Sequence, residues 1–302
     1  MRVMQKSVEE IDKRVDWWAV LFMIGAHVAA VAGIIKLGLD WWMGASVWFS
    51  FVVMVVTFSV RTLSISDSFH RYFWHQSYAF NQRFLRPLQF AFAFVGTTAA
   101  QRGPVWWAYM HGLHHANSDR EGDVHSPVIS GFWYAHIGWI FMLRNKQIDW
   151  QSMRRWAKFP ELVWLEKYYV LPPIMLATTC FLLGGLQAQE RFFSGAFTTV
   201  LVGFFLSTVI LYHLTYAVNS LGHLRGYRRY PTKDHSCNRL VLAFLTAGEF
   251  LHNNHHHCPG SASFGVTWYE KIADWGYLGL WLLWRIGVIT HLKVASQDAA
   301  AT

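Results

Sequence analysis

The chain has 302 residues, of which 53% are hydrophobic and only 15% are charged. Soluble domains carry roughly 25% charged residues, so this composition excludes an ordinary soluble globular protein. A net charge of +8 is also found in nucleic-acid-binding proteins, but long apolar runs argue against that class. The three cysteines form no CxxC pair, which excludes a disulfide framework and a rubredoxin-like iron centre.

Four apolar runs are each close to the ~20 residues that cross a bilayer as a helix. They cover residues 17–39, 45–65, 170–187 and 196–216. Short connections join the first two runs and the last two, so we predict two transmembrane hairpins. Several tryptophans stand where an interfacial aromatic belt is expected, namely Trp17, Trp18, Trp41, Trp42, Trp106 and Trp107.

Lysines and arginines are distributed unevenly among the segments that flank these runs. The central segment contains eleven and the C-terminal segment eight, whereas the two short connections contain Arg191 alone. The segment before the first run contains Arg2, Lys6, Lys13 and Arg14. By the positive-inside rule both termini and the central segment face the cytoplasm.

Histidines occur in three clusters, which read HRYFWH, HGLHH and HNNHH. The second and third clusters place histidines at i, i+3 and i+4, on one helical face, so three imidazoles can converge on one point. Imidazole is the commonest side-chain metal ligand. So many imidazoles without interleaved cysteines favour a pair of redox-active irons over a structural zinc. The eight histidines, all on the predicted cytoplasmic side, are His70, His75, His111, His114, His115, His252, His255 and His256.

The first cluster is less regular, because His70 and His75 are five residues apart, or about 140° on an ideal α-helix. Both can reach one site only if the helix ends near Trp74. Otherwise the two histidines would bind different metals. After the fourth run, Asn219 and His223 share a helical face if that helix continues. A carboxamide and a ninth imidazole could then close the site.

Ligating imidazoles usually donate their second N–H to a carboxylate or a carbonyl. The carboxylates close to the clusters are Asp67, Asp119, Asp123 and Glu249. Each could equally be a solvated loop acid, although Glu249 is favoured because it lies in an apolar run. We expect the remaining histidines to be packing, interfacial or at most supporting residues, namely His27, His125, His136, His213, His235, His257 and His291.

The sequence contains no GxSxG, HExxH or phosphate-binding glycine loop, which argues against a hydrolase. A multi-histidine metal site suits oxygen activation for attack on an unactivated C–H bond, which side-chain acids and bases cannot break. A membrane location fits a substrate with a long alkyl chain. A transporter would instead bury its ionisable residues at mid-membrane.

The motifs HRYFWH, WWAYMHGLHH, NSLGH and GEFLHNNHH resemble, in this order, those of the membrane acyl-CoA (stearoyl-CoA Δ9-type) fatty acid desaturases, especially bacterial members. The resemblance extends from about the second run to Trp268. It implies an all-α integral membrane fold, a single domain over residues 1–302, in a bacterial inner membrane. Four transmembrane helices would lie under a helical cytosolic cap, formed by residues 66–169 and 217–293, that holds a di-iron site.

The resemblance also implies the reaction. Two Fe²⁺ ions, O₂ as co-substrate and two electrons would remove two hydrogens from a saturated acyl chain held in a kinked tunnel, leaving a cis double bond, at Δ9 in this subgroup. The di-iron centre itself would be catalytic, with no separate acid or base, and Asn219 would hold a metal-bound water. Electrons would come from a separate donor such as a ferredoxin or a cytochrome b5-like protein. The implied ligands are His70, His75, His111, His114, His115, His223, His252, His255 and His256, supported by Glu249, Asp119 and Asp123.

The acyl carrier stays open among CoA, membrane lipid and acyl carrier protein. Animal members have an Arg-Asp pair before the second cluster, where this chain has Tyr109 and Met110. Two other functions also stay open. One is a related membrane di-iron hydroxylase or ketolase acting on an alkyl, sterol or carotenoid substrate. The other is a non-enzymatic metal-binding membrane protein, against which the location of the histidines outside the apolar runs argues.

Overall fold

The structure is a computed structural model that describes residues 14–295. Helices dominate the described part of the chain, and two short strands pair antiparallel. Arg2, Lys6 and Lys13, on which part of the predicted orientation depends, lie outside the described residues.

The first long helix, α1 (Trp17–Trp42), is apolar over almost its whole length. Asp16 fixes its start, because its Oδ1 accepts a hydrogen bond from the backbone N–H of Trp18 at 3.1 Å, as an N-cap does. Trp18 and Trp42 are 82% and 83% exposed. Tryptophans therefore stand at both ends of the helix, where membrane interfaces favour them.

The second long helix changes its winding along its length. α2 (Trp48–Leu63) continues without a break into a π-helix (Ser64–Trp74), in which each N–H donates to the carbonyl five residues back. The N–H of His75 thus donates to the carbonyl of His70 at 3.1 Å. The predicted span over residues 45–65 therefore stops short of the true helix end at Trp74.

Shorter elements fill the region between the second and third long helices. The longest are α3 (Leu85–Thr97) and α4 (Pro104–Asn117). The strand β1 (Ala79–Phe80) pairs with β2 (Ile289–Thr290), close to the end of the described chain. The remaining helices here are α5 (Pro127–Ser130), α6 (Phe132–His136), α7 (Arg154–Ala157) and α8 (Pro160–Lys167), with 3-10 turns at Gln82–Phe84, Gly138–Phe141 and Leu143–Lys146.

The third long helical stretch folds back on itself at a short turn. Its segments are α9 (Leu171–Ala188), a 3-10 turn (Gln189–Arg191), α10 (Phe192–Val200), a π-helical segment (Leu201–Leu206), α11 (Ser207–Ser220) and a 3-10 turn (Leu221–His223). Gln189 has a φ of +48°, and α9 packs closely along α10. The predicted connection between residues 187 and 196 is thus shorter in the structure.

Four further helices complete the described chain. They are α12 (Leu240–Leu245), α13 (His252–His257), α14 (Trp268–Ala273) and α15 (Trp275–Arg285). α14 begins with a capping box between Thr267 and Glu270, which satisfies backbone N–H groups at its N-terminus.

Polar contacts join the long helices inside their apolar surroundings. Lys36 on α1 lies 3.0 Å from both Asp40 and Ser194, which links the end of α1 to the start of α10. The buried Arg61 on α2 donates to Thr208 on α11 at 2.6 Å. The long helical segments therefore pack as one bundle, with the short helices gathered at the end where α1 begins.

A fully buried arginine ties the π-helix to the C-terminal helices. Arg71 Nη2 lies 2.7 Å from Asp274 Oδ1, and Nη1 lies 3.1 Å from Asp67 Oδ1. Its Nε donates to the carbonyl of Ala262 at 2.8 Å. Asp67 is therefore not the partner of a clustered histidine, as its position in the sequence suggested. Asp67 lies one helical turn before Arg71, and its carboxylate forms an ion pair with the guanidinium of Arg71.

The predicted, mostly helical character is confirmed, and within residues 14–295 three helices are long and apolar enough to cross a membrane. They are Trp17–Trp42, Trp48–Trp74 and the folded-back stretch Leu171–His223. The interfacial position predicted for Trp106 is wrong. Its ring is buried and stacks on Trp139 at 5.9 Å, because α4 is covered by the 3-10 turn that contains Trp139.

Gly184→Ala should destabilise the protein by about 1–3 kcal/mol, as overpacking does. A Cβ at this position of α9 would clash with the side chain of Thr199 and the carbonyl of Gly195 on α10. Gly25→Ala on α1 is the matched control, because a Cβ there meets nothing within 4 Å. Thermal unfolding of both purified variants in one detergent measures the difference, and equal melting temperatures would contradict the close α9–α10 contact.

Candidate metal centre

The structure gathers nine histidines into two adjacent sets. Cluster A consists of His70, His75, His111, His115 and His255, and cluster B of His114, His223, His252 and His256. Within each set, one ligand nitrogen per residue lies within 4.8 Å of all the others. These are the nine histidines that the sequence singled out, and they come from four separate segments of the chain.

Each HxxHH motif serves both clusters rather than one point. In α4, His111 and His115 belong to cluster A, whereas His114 belongs to cluster B. The third motif is reversed, because His252 and His256 of α13 belong to cluster B and His255 to cluster A. The residues at i and i+4 thus share a cluster and the residue at i+3 faces the other one. The expected convergence of all three imidazoles on one point is wrong.

The π-helix explains how the irregular first motif reaches a single cluster. An α-helix separates residues five apart by about 140°, but a π-helix places them nearly in line. The ring centroids of His70 and His75 are accordingly 4.8 Å apart. The helix also ends at Trp74, as one of the two predicted alternatives required.

A glycine allows the second motif to approach the first. Gly112 faces the indole of Trp74, with which any Cβ at this position would clash. α4 and the π-helix can therefore lie close enough for His75 and His111 to place their Nε2 atoms 2.9 Å apart.

Several imidazoles direct their Nε2 atoms at one another. The separations are 3.1 Å for His70 and His255, and 3.0 Å for His255 and His115. In cluster B, the Nε2 atoms of His223 and His252 are 2.9 Å apart. Two nitrogens that bind the same metal, each at about 2.1 Å and with a right angle at the metal, lie about 3.0 Å apart. The spacing therefore fits imidazoles that share a metal ion.

Carboxylates stand behind four of these imidazoles. Nδ1 of His70 lies 2.5 Å from Glu249, and Nδ1 of His114 lies 3.0 Å from Asp123. Nδ1 of His223 lies 2.8 Å from Asp119. The fourth pair is His256 and Asp234, at 2.6 Å. Three of these acids follow the sequence expectation. Asp234 was missed, because nothing in the loop sequence around it distinguishes it from a solvated acid.

These contacts fix which nitrogen carries the proton. An ionised carboxylate can only accept a hydrogen bond, so Nδ1 is the protonated nitrogen and Nε2 presents a lone pair. The Nε2 atoms of His114 and His256 are buried without a hydrogen-bond partner among the described residues. Unpaired buried nitrogens of this kind are costly, and a metal ion would satisfy them. The donor set therefore fits a metal.

The electrostatics favour the neutral form of several clustered imidazoles and the ionised form of two of their carboxylate partners. Burial, and then neighbouring imidazoles, lower the pKa of His75, His111 and His252 well below the usual histidine value. Burial opposes ionisation of Asp119 and Asp234, yet hydrogen bonds from His223 and His256 hold the pKa of each carboxyl well below its usual range. Neutral imidazoles backed by anions are the form that binds metals.

The two asparagines of HNNHH anchor α13. Oδ1 of Asn253 accepts hydrogen bonds from the backbone N–H groups of Arg229 and Tyr230, at 2.7 and 2.8 Å. Nδ2 of Asn254 donates to the carbonyl of Phe264 at 2.9 Å. The motif thus supplies both the imidazoles and the hydrogen bonds that hold its short helix in place.

The other histidines lie outside both clusters. His257 stacks on Tyr230 at 4.0 Å. His136 lies 3.0 Å from both Ser220 and His213. His125 packs against His114, with ring centroids 4.3 Å apart. The backbone N–H of His235 donates to Asp119 at 2.7 Å.

A largely apolar cavity of about 710 Å³ borders the centre. Its wall includes His111 of cluster A and Asn219, which lies one helical turn before His223. Aromatic residues such as Trp107, Phe204 and Tyr216 form much of the rest. A cavity of this size and character accommodates an elongated apolar molecule.

Comparison with known proteins assigns the chain to a family. The profile of the fatty acid desaturase family matches residues 39–270. The chain is 32% identical to an sn-1 stearoyl-lipid 9-desaturase of Anabaena variabilis, over 94% of this chain and 96% of the relative. It is 31% identical to an acyl-CoA C20 Delta5-desaturase of Anemone leveillei, over 96% and 88%, and 32% identical to an sn-2 palmitoyl-lipid 9-desaturase of Nostoc, over 78% and 76%. The chain therefore belongs to the fatty acid desaturase family.

Proposed function

We propose that this chain is an oxygen-dependent di-iron desaturase that introduces a cis double bond, at Δ9, into a saturated fatty acyl chain. The observation that carries the proposal is the pair of imidazole clusters beside an apolar cavity whose wall shares His111 with cluster A. The reaction removes two hydrogens from adjacent methylenes. Together with two electrons, two protons and O₂, these yield two waters and the alkene.

The nine histidines would hold two irons, five imidazoles in cluster A and four in cluster B. Asn219 would supply a water-mediated contact from the cavity wall. Bound iron supplies the oxygen activation that an unactivated C–H bond requires. The residues of the chain hold the imidazoles neutral, fix their tautomers through Glu249, Asp119, Asp123 and Asp234, and exclude bulk water.

The cavity would position the substrate. Its aromatic and aliphatic wall binds the acyl chain through dispersion and burial, which act along the whole chain without fixing one atom. The methylenes of the acyl chain that lie against His111 and Asn219 would be those next to the metals. Because the depth of the cavity decides which methylenes these are, it would set the position of the double bond.

We further propose that the folded-back stretch Leu171–His223 contributes two spans, which gives four transmembrane helices. Both termini and the cap would then face the cytoplasm of a bacterial inner membrane, and residues 1–302 would form one desaturase domain. Two electrons would arrive from a separate ferredoxin or cytochrome b5-like protein.

Expression in a bacterial host that lacks its own Δ9-desaturase tests the function. We expect new cis-monounsaturated acids in the total lipids, seen by gas chromatography with mass spectrometry, only in the presence of oxygen. Hydroxylated or keto products without alkenes would instead indicate a hydroxylase or ketolase. Oxygen-independent function with no lipid product would indicate a non-enzymatic metal-binding protein.

His114→Ala and His255→Ala should each reduce turnover to background and lower the bound iron, while membrane insertion stays normal. The first removes a ligand of cluster B and the second a ligand of cluster A. His257→Ala is the control, because this ring adjoins the third motif but stacks on Tyr230. Iron per protein and product yield are measured together. Normal values in either test variant would remove that residue from the ligand set.

Asp234→Asn should weaken metal binding by about 10- to 100-fold, because His256 loses the anion that fixes its tautomer. Asp149→Asn is the control, since Asp149 is exposed in a turn and accepts from the N–H of Gln151. Titration of the metal-depleted proteins with Fe²⁺ or Co²⁺ measures the affinity without turnover. Equal affinities in both variants would show that Asp234 does not support the centre.

A further inference from the structure

Among the described residues, the wall of the cavity contains one arginine, Arg102, and this arginine forms no ion pair. Arg102 follows α3 in a loop whose backbone is strained at this residue, with a φ of +65°. Its guanidinium lies between the rings of Trp106 and Tyr169, at 4.8 and 5.4 Å from their centroids. Nη1 is buried, and among residues 14–295 it has no hydrogen-bond partner.

The nearby charged groups do not neutralise Arg102. Lys146 and Asp16 also line the cavity, but they form a close ion pair with each other. Glu166 accepts hydrogen bonds from the backbone N–H groups of Val105 and Trp106, at 3.0 and 3.1 Å. Burial also raises the pKa of Glu166 to about 7, against the opposing charge of Arg102. Among residues 14–295, no carboxylate therefore lies within ion-pair distance of Arg102.

Arg71 shows how this protein treats a buried arginine that has only a structural role. Its guanidinium is paired with two aspartates and bonded to a carbonyl. An unsatisfied guanidinium donor is costly. Its presence in a cavity wall indicates that a ligand supplies the missing acceptor. A guanidinium binds phosphate groups best, through two parallel N–H···O bonds.

The cavity meets the outer surface of the bundle beside Arg102. Trp18 on the first turn of α1 and Ile174 on the first turn of α9 both line it, and they are 82% and 57% exposed. α1 packs mainly against the π-helical segment and α11, and the cavity opens between its first turn and that of α9. Both helices are apolar from this end onward, and their starts mark the border of the hydrocarbon region.

We propose that Arg102 binds the phosphate group of a membrane phospholipid whose saturated acyl chain enters the cavity through the gap between α1 and α9. The acyl chain would be desaturated while it is esterified to the lipid, a step that rests on the proposed function. The head group stays at the membrane interface and the tail passes inward toward His111. A phosphate on CoA or on acyl carrier protein offers the same chemistry, but the gap faces the bilayer.

Lipid binding to the metal-depleted full chain in detergent tests the proposal without any turnover. Native mass spectrometry would follow 1-stearoyl-2-oleoyl-phosphatidylglycerol, stearoyl-CoA and an uncharged stearoyl galactolipid. We expect Arg102→Gln to weaken phosphatidylglycerol binding at least tenfold, as loss of charge-assisted hydrogen bonds does, and to leave galactolipid binding unchanged. Arg155→Gln is the matched control, because Arg155 also lies over a tryptophan, at 5.1 Å, but is exposed and outside the cavity.

Phosphatidylglycerol binding that is unchanged in Arg102→Gln would overturn the proposal. Stearoyl-CoA that binds the unmutated protein as tightly as phosphatidylglycerol, with the same dependence on Arg102, would overturn the lipid assignment. If Arg102→Gln does not fold, the lipid affinities of the unmutated protein test the proposal instead. We then expect phosphatidylglycerol to bind at least tenfold more tightly than the galactolipid at low salt. Equal affinities for the two lipids would contradict the proposal. Arg102-dependent binding, combined with no new monounsaturated acids in the expression host described above, would refute the proposed function alone.

Discussion

Imidazole nitrogens face each other at about 3 Å in several pairs within the two clusters, and they repel wherever both present a lone pair. The carboxylates behind His70, His114, His223 and His256 place the proton on the far nitrogen of each ring. The lone pairs must then point inward, into a space from which water is excluded. The fold has to hold these rings in place, and buried polar contacts from neighbouring segments contribute to this.

Three devices provide the necessary rigidity. The π-helix brings His70 and His75 to one side, and Arg71 in the same segment is bonded to Asp274 beyond the third motif. The asparagines of α13 fix the loop that carries Asp234. Because the last two devices join segments that are distant in the chain, the clusters depend on tertiary contacts as well as on helix geometry.

The sequence predicted those features that depend on spacing within one helix. The pairs His111–His115 and His252–His256 share a cluster, as i, i+4 positions should. It could not predict which cluster the i+3 residue joins, because that depends on where neighbouring helices place the other ligands. The π-helix was likewise inaccessible, since nothing in SISDSFHRYFW distinguishes it from an α-helix. A strong hydropathy signal located the long helices, but not their ends.

Tertiary contacts decided the remaining differences. Asp67 and Glu249 are both acids near a histidine motif, and only the three-dimensional arrangement assigns Asp67 to Arg71 and Glu249 to His70. Trp106 has the apolar sequence neighbours of an interfacial residue, yet α4 is covered, and its ring became part of the cavity wall. In each case the chemistry of the residue was visible in the sequence, but its partner was not.

The two clusters differ in the support that their imidazoles receive. In cluster B, His114, His223 and His256 each have a carboxylate at Nδ1, whereas in cluster A only His70 has one among the described residues. A carboxylate acceptor makes the opposite nitrogen a stronger donor, so cluster B offers fewer but more basic nitrogens. Cluster A compensates with a fifth imidazole, and it is cluster A that contributes His111 to the cavity wall. The protein thus builds two inequivalent sites from motifs that look alike in the sequence. The difference arises from the position of three loop aspartates and not from the histidines.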